Sequence, residues 1–289
     1  TTMTPGNFRD PPGAPVTFPT TSPRTSPRKR PVAHVGALCV LSLCLASGLV
    51  LRSEPASAAC DPDSPPLMNG GSVTCTGTDE TGFDASAASD VTIVTSGITT
   101  LDDSSGLDAA IRISDDNDVT IGADATITVI DANGAGVRGG DRNEVRNEGA
   151  IIVDGANGVG IDVGSIDVPD PDPDTPITNA GTITLNGLNT IGIRSVDNYT
   201  ITNEESGTIT IDATATGGIG IFGIDDNIVT SNGTITIDAA NAFGIVINEN
   251  TGVALPNGAV FGEPSTTNVN GDGSIAMQVG NNVGTAAQG

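Results

Sequence analysis

The chain has 289 residues, a formal net charge of −24 at pH 7, 2% aromatic residues and no tryptophan. So acidic a surface repels nucleic acids and anionic membranes, which excludes a nucleic-acid-binding protein. Few aromatic side chains argue against a compact globular core, whereas a solenoid can be filled by stacked isoleucine and valine.

The N-terminal part differs in composition from the rest. Residues 1–31 are rich in proline, serine and threonine, which predicts a disordered extension. Residues 32–58 predict a secretory signal peptide, because a basic triplet precedes the apolar run Val35–Leu51 and an Ala-x-Ala sequence follows it. The cleavage site would lie between Ala58 and Ala59. The alternative is a transmembrane anchor, for which a 17-residue apolar run is short.

Four cysteines divide into two pairs. Cys39 and Cys44 lie in the apolar run and would be removed with it. Cys60 and Cys75 remain, and in an exported protein they predict a disulfide; the alternative is two free thiols. This bond would close an N-terminal cap formed by residues 59–90.

A short unit then repeats along the chain. Its first element is Gly-x-Ile, with alanine replacing the glycine in the first copy, and the steps between the isoleucines are 24, 32, 26, 26 and 40 residues. These are Ile127, Ile151, Ile183, Ile209, Ile235 and Ile275. A second element, a glycine between mostly apolar residues, begins 8 residues later in five copies and 10 in one. It is centred on Gly136, Gly160, Gly192, Gly220, Gly244 and Gly284. Residues 91–113 form a degenerate copy, and linked elements of this kind predict a repeat fold.

Within each unit the residues alternate as they do in strands. Ile183 and Leu185 share one face, and Thr182 and Thr184 share the other. Each unit has three short strands in the same order, so a strand can pair in parallel with its equivalent in the next unit, about 4.8 Å away. This predicts an all-β, right-handed parallel β-helix over residues 91–289.

The alternative fold is an antiparallel sandwich, which needs hairpin turns. Asn232-Gly233 is such a signal when taken alone. It recurs in register with the repeat, so we interpret it as a corner that uses the positive φ tolerated by asparagine and glycine.

Beyond residue 58 the chain has 33 acidic residues and five arginines, with no histidine or lysine. This excludes a Ser-His-Asp triad and metal binding through imidazole. No catalytic residue, metal ligand or cofactor is predicted. The remaining enzymatic alternative is a polysaccharide lyase or hydrolase using carboxylates, with Asp162, Asp212 or Asp238 as candidates. We expect these three to be solvated turn or outward residues.

The other polar residues have structural interpretations. Of the five arginines, which include Arg112 and Arg194, three are expected to pair with nearby acids: Arg138, Arg142 and Arg146 with Asp141, Glu144 and Glu148. Residues 169–174 alternate proline and aspartate, which predicts a solvated loop; loose calcium binding is the alternative. Four turn asparagines are predicted to form an internal amide ladder: Asn147, Asn179, Asn203 and Asn232.

The order of extension, signal peptide and rungs of the form N-x-G-[TS]-I-x-[IVL] resembles the passenger region of a classical (type V) autotransporter of Gram-negative bacteria. The resemblance covers residues 59–289. It implies export across the inner membrane and display at, or release from, the outer membrane. The family achieves this with a C-terminal β-barrel, for which we expect the reading frame to continue beyond Gly289. The function implied is a non-enzymatic stalk or adhesin for an unidentified ligand on a host cell, matrix or neighbouring cell.

Overall fold

A computed structural model describes residues 59–61, 69–79, 82–102, 108–164, 175–197, 199–225, 227–248, 258–261 and 265–279. These residues contain 23 β-strands and no helix. The strands are β1 (Ala59–Asp61), β2 (Ser72–Asp79), β3 (Phe83–Ala85), β4 (Thr92–Asp102), β5 (Ala109–Ile113), β6 (Asp118–Ile121), β7 (Ala125–Val129), β8 (Ala135–Gly139), β9 (Glu144–Asn147), β10 (Ala150–Val153), β11 (Val159–Val163), β12 (Thr175–Asn179), β13 (Thr182–Leu185), β14 (Ile191–Asp197), β15 (Tyr199–Asn203), β16 (Thr208–Ile211), β17 (Ile219–Asp225), β18 (Ile228–Ser231), β19 (Thr234–Ile237), β20 (Phe243–Ile247), β21 (Gly258–Phe261), β22 (Thr266–Val269) and β23 (Ile275–Val279). The predicted extension, the signal peptide with Ala58, and the loop 169–174 lie outside the described residues.

Equivalent strands of successive repeats pair in parallel and form three ladders. Ladder A contains the first halves of β2 and β4, then β6, β9, β12, β15, β18 and β21. Ladder B contains the second halves of β2 and β4, then β7, β10, β13, β16, β19 and β22. Ladder C contains β3, β5, β8, β11, β14, β17, β20 and β23. One strand from each ladder makes a rung, and the described residues form eight rungs. The prediction of an all-β parallel β-helix with three short strands per rung is therefore confirmed.

The register confirms the isoleucine marker over five copies. Ile127, Ile151, Ile183, Ile209 and Ile235 stand in one column of ladder B. The degenerate copy at 91–113 is also a rung, because β4 and β5 pair with the next rung in both ladders.

The sixth marker, Ile275, is wrong. Ile275 pairs with Phe243 in ladder C, and the residue that follows Ile235 in the marker column is Thr267. The last step is therefore 32 residues, not 40. The sequence Gly273-Ser274-Ile275 matches the Gly-x-Ile pattern but lies in a different ladder. In this last rung Thr267 occupies the marker position, and Ala276 occupies the glycine position of the second element. Residues 283–285, assigned to that second element, lie outside the described residues.

The interior is filled by stacked aliphatic side chains. Ile183 and Leu185 are completely buried, as are Ile209, Ile211 and Ile193. Thr182 is exposed and Thr184 is half-buried on the opposite face of the same strand. Full burial of one such aliphatic side chain contributes about 1.5–3 kcal/mol, so each rung is stabilised mainly by its inward residues.

The corners differ in how they use glycine and asparagine. Asn232-Gly233 does join two strands at a corner, but neither residue has a positive φ. Gly233 is required for space, because an added Cβ would lie 2.2 Å from the carbonyl oxygens of Glu204 and Gly207. The longest column of positive φ stands at the corner between ladders B and C: Asn133, Asn157, Asn189, Gly217, Asn241 and Gly273. The corner between ladders C and A has positive φ at Asp90, Asp116, Arg142 and Gly164.

Candidate functional site

The first two strands bring the two remaining cysteines together. Cys60 lies directly opposite Cys75 in the antiparallel pair of β1 and β2, and a disulfide joins them. Both residues are buried, with at most 1% exposure. The segment assigned to a cap also contains ladder strands, since β2 and β3 pair in parallel with β4 and β5. The disulfide thus anchors β1 to the first described rung. Ala59 begins β1.

Asp162 lies in the outward column of ladder C between two arginines. Its register partners are Arg138 on the preceding rung and Arg194 on the next. Arg194 donates from Nε to Oδ1 at 2.6 Å and from Nη2 to Oδ2 at 2.7 Å. Arg138 donates from Nε to Oδ2 at 3.1 Å. The side chain of Asp162 is only 7% exposed, so the expectation of a solvated carboxylate is wrong for this residue.

Two further residues extend this charged column. Arg138 also pairs with Asp108 at 2.7 Å, and Arg112 lies 3.6 Å from the same carboxylate. Partial burial raises the pKa of Asp108, but the hydrogen bond from Arg138 and the charges of both arginines outweigh it, so the pKa is lowered. Ion pairs between rungs therefore hold ladder C together along its outer face.

The other two arginines also pair between rungs. Arg142 donates from Nη2 to Asp116 at 2.8 Å, and this hydrogen bond lowers the pKa of the Asp116 carboxyl. Arg146 pairs with Glu148, as expected, and also with Glu204, which follows β15 two rungs further on. Hydrogen bonds with Glu204 and Glu148 raise its pKa. The expectation of pairing between chain neighbours is thus right for Glu148 but misses the longer-range partners.

The three candidate carboxylates do not form one site. Asp162 lies on ladder C, whereas Asp212 and Asp238 follow β16 and β19 of ladder B. Asp212 accepts hydrogen bonds from Thr214, and Asp238 accepts one from Asn270. Both oxygens of Asp162 already accept hydrogen bonds from arginine. In this arrangement Asp162 forms ion pairs with Arg138 and Arg194 of the neighbouring rungs and is not positioned to act as a general base.

Among the residues that the structure describes, no group of three histidine, cysteine, aspartate or glutamate residues is arranged to hold a metal ion. None of the described residues forms a helix of the length and apolarity that a membrane span requires.

An amide ladder runs through the corner between ladders A and B. Asn147 Nδ2 donates to Asn179 Oδ1 at 2.8 Å, and Asn179 Nδ2 donates to Asn203 Oδ1 at 2.8 Å. Asn203 Nδ2 then donates to Ser231 Oγ at 3.2 Å. The fourth member is therefore Ser231, and the prediction of Asn232 is wrong by one residue. Asn203 is paired with Ser231 in the sheet, which turns Ser231 inward and leaves Asn232 half-buried in the corner.

A second buried polar column stands at the corner between ladders C and A. Asn117, Asn143 and Asn227 are at most 1% exposed. Asn117 Oδ1 accepts from the Val91 backbone, and Asn143 Oδ1 accepts from the Asn117 backbone. In the sequence an asparagine directly precedes β6, β9 and β18 of ladder A, a pattern that does not by itself indicate burial.

The outer side of ladder B carries a two-column array that we call the threonine face. It consists of the outward residues of β7, β10, β13, β16, β19 and β22: Thr126, Thr128, Ala150, Ile152, Thr182, Thr184, Thr208, Thr210, Thr234, Thr236, Thr266 and Asn268. These residues follow one another in register without a shift. All are half-buried or exposed, and none is charged. Three consecutive rungs present the same Thr-Ile-Thr segment.

No protein family, no curated protein and no solved structure matched the chain when it was compared with each of these sets.

Proposed function

We propose that the chain is an exported, non-enzymatic β-helical passenger that acts as a stalk or adhesin at the surface of a Gram-negative cell. The observation that carries the proposal is the unbroken parallel stacking of eight rungs. At about 4.8 Å a rung, the stack is roughly 38 Å long. A stalk needs such length, and an adhesin needs an extended outer surface on which the same groups recur.

Two other features support an extracellular setting. A disulfide persists in oxidising compartments, and Cys60 and Cys75 are joined in the described fold. The net charge of −24 favours solubility without a partner at physiological pH. The signal peptide and the outer-membrane display remain part of the proposal.

Export is tested by expressing the full chain in a Gram-negative host and determining the N-terminus of the product in each cell fraction. The proposal expects a product that begins at Ala59 outside the cytoplasm and retention of a variant that lacks residues 32–58. An uncleaved, membrane-held product would instead support the transmembrane anchor.

Adhesion is tested with beads that carry the exported chain at a defined density. Their retention on cultured host cells, on extracellular matrix and on a layer of the producing bacterium is compared with that of beads carrying an acidic protein of similar charge. Retention on at least one surface above the control supports an adhesin. Equal retention on all of them would reject adhesion and leave only the stalk role.

The carboxylate enzyme is the second candidate, favoured by the approach of two arginines to Asp162. An acidic sugar would have to replace Asp162 on these arginines, because both Asp162 oxygens accept hydrogen bonds from them in this structure. Incubation with acidic polysaccharides and measurement of new reducing ends tests it. Product formation that is lost in Asp162→Asn, with the fold retained, would establish the enzyme and reject the non-enzymatic proposal.

A further inference from the structure

The threonine face combines order with a lack of charge. The chain has 35 acidic residues, yet none of the twelve outward positions of ladder B from Thr126 to Asn268 carries a carboxylate. Nine of the twelve are threonine. An uncharged face in so acidic a protein suits a neutral ligand. Binding to such a face involves no attraction or repulsion between charged groups.

The hydroxyl groups on this face are available. None of the nine threonine hydroxyls hydrogen-bonds to another group within the part of the chain that the structure describes. Corner residues differ, since Thr190 and Thr214 donate their hydroxyl hydrogens to backbone carbonyls. A free threonine hydroxyl both donates and accepts, so the face can hydrogen-bond to a ligand that also does both.

The array is regular in two directions. Neighbouring rungs are about 4.8 Å apart, and the two columns, separated by two residues along a strand, are about 6.6 Å apart. Threonine is β-branched, so its χ1 angle is restricted and its hydroxyl has few alternative positions. A stiff array loses little conformational entropy when it binds a ligand with the same repeat.

We propose that the threonine face binds ice. The ligand must be neutral, periodic and able to donate and accept hydrogen bonds at every repeat, and the water molecules at an ice surface meet all three conditions. Crystalline polysaccharide is the competing neutral lattice. Sugar rings pack their C–H faces on aromatic side chains, and the threonine face has none.

This inference deepens the proposed function, because ice would be the surface to which the adhesin attaches. The biological role of ice binding rests on the proposed function. The ice affinity itself does not, because it is measured on the isolated exported chain. Ice affinity without retention on cells or matrix would support the present inference alone, whereas retention on cells without ice affinity would overturn it and leave the adhesin standing.

The experiment grows ice slowly in a solution of the fluorescently labelled exported chain and measures its partition between ice and liquid. Wild type should enter the ice several-fold more than an acidic control protein. Thr210→Lys, in the middle of the face, should lower the partition to the control level. Thr202→Lys is the matched variant, because Thr202 is half-buried and faces outward from ladder A of the same rung. It should partition as wild type does.

Exclusion of the wild-type chain from ice would overturn the proposal. Equal loss in Thr210→Lys and Thr202→Lys would also overturn it, provided that urea unfolding shows both variants to be folded. A pull-down with crystalline cellulose and chitin completes the test. Binding to either one that depends on Thr210, together with exclusion from ice, would replace ice by a polysaccharide lattice.

Discussion

Ile151 packs its Cγ2 methyl against Gly160, 3.3 Å from the point where a Cβ on that glycine would stand. The first residue belongs to the marker column of ladder B and the second to the glycine column of ladder C. The same contact joins Ile127 to Gly136, Ile183 to Gly192 and Ile209 to Gly220. The two repeat elements thus recur together because they pack directly across the interior, even in the copy where they are 10 residues apart and not 8.

The glycine in this contact should be irreplaceable. In Gly160→Ala the new Cβ would lie 2.5 Å from the carbonyl oxygen of Gly192 on the next rung. Backbone would have to move to relieve the clash, so we expect the free energy of unfolding in urea to fall by more than about 2 kcal/mol. Thr182→Ala, outward on the next rung, should change it by about 0.5 kcal/mol or less. Equal effects of the two substitutions would contradict the packing.

Substitution of a ladder asparagine should destabilise the protein more than substitution of Asn232, which lies beside the ladder. Asn179→Ala removes the acceptor of Asn147 and the donor to Asn203, leaving buried polar groups without their partners. We expect a loss of about 2–4 kcal/mol in the free energy of unfolding. Asn232→Ala should cost about 0.5 kcal/mol or less, because Asn232 is not a ladder member. A loss from Asn232→Ala as large as that from Asn179→Ala would restore the ladder expected from the sequence.

Asp162 should contribute to stability through its two arginines. Asp162→Ala leaves the guanidinium groups of Arg138 and Arg194 without this carboxylate, and we expect a loss of about 1–3 kcal/mol in chemical unfolding. The control is Asp238→Asn, which is exposed and retains an acceptor for Asn270. Little change in Asp162→Ala, measured under the same conditions, would show that the ion pairs between rungs do not stabilise ladder C.

The pair of Asp116 and Arg142 should make stability depend on pH. The folded-state pKa of Asp116 lies below the ordinary value of 3.8. The stabilisation is therefore complete above that ordinary value and is lost as the pH falls through the lower folded-state pKa. Both side chains are more than a third exposed, so the effect should stay below about 1 kcal/mol.

The measurement compares wild type with Arg142→Met, unfolded in urea between about pH 6 and pH 2. The difference in the free energy of unfolding should be constant in the upper part of this range and shrink at its acid end. Asp116→Asn should remove the same pH-dependent part. If the difference in the free energy of unfolding grew as the pH fell, the pKa of Asp116 would not be lowered by Arg142 in the folded state.

The disulfide should stabilise the first described rung. Replacing both Cys60 and Cys75 by serine opens a loop with a sequence separation of 15 residues. In the chain-entropy description this costs about 3 kcal/mol. Wild type in reducing buffer should unfold at the same urea concentration as the double variant, whereas oxidised wild type should need more. Free thiols in the exported chain, measured by mass after alkylation, would contradict the bond.

Much of the fold could be predicted because its signal is local. Alternation along a strand placed Ile183 and Leu185 inward and Thr182 and Thr184 outward, and β-branched residues favour this pleated, half-buried surface. The repeat of that pattern in one orientation excluded hairpins and indicated parallel stacking. In ladder B the marker isoleucines showed which strands lie in one column.

The sequence by itself determined the parallel β-helix, the identity of most rungs and the pair of cysteines, because strand alternation and the recurrence of glycine and isoleucine are properties of short segments. Only the tertiary structure decided which polar groups meet. Asp162 and Arg194 are 32 residues apart, and their contact depends on the register between two rungs. Register also decided between Ser231 and Asn232 and moved Ile275 from ladder B to ladder C. A shift of one residue reverses the face of every side chain in a strand, so these assignments depend on backbone pairing that residue types alone do not specify.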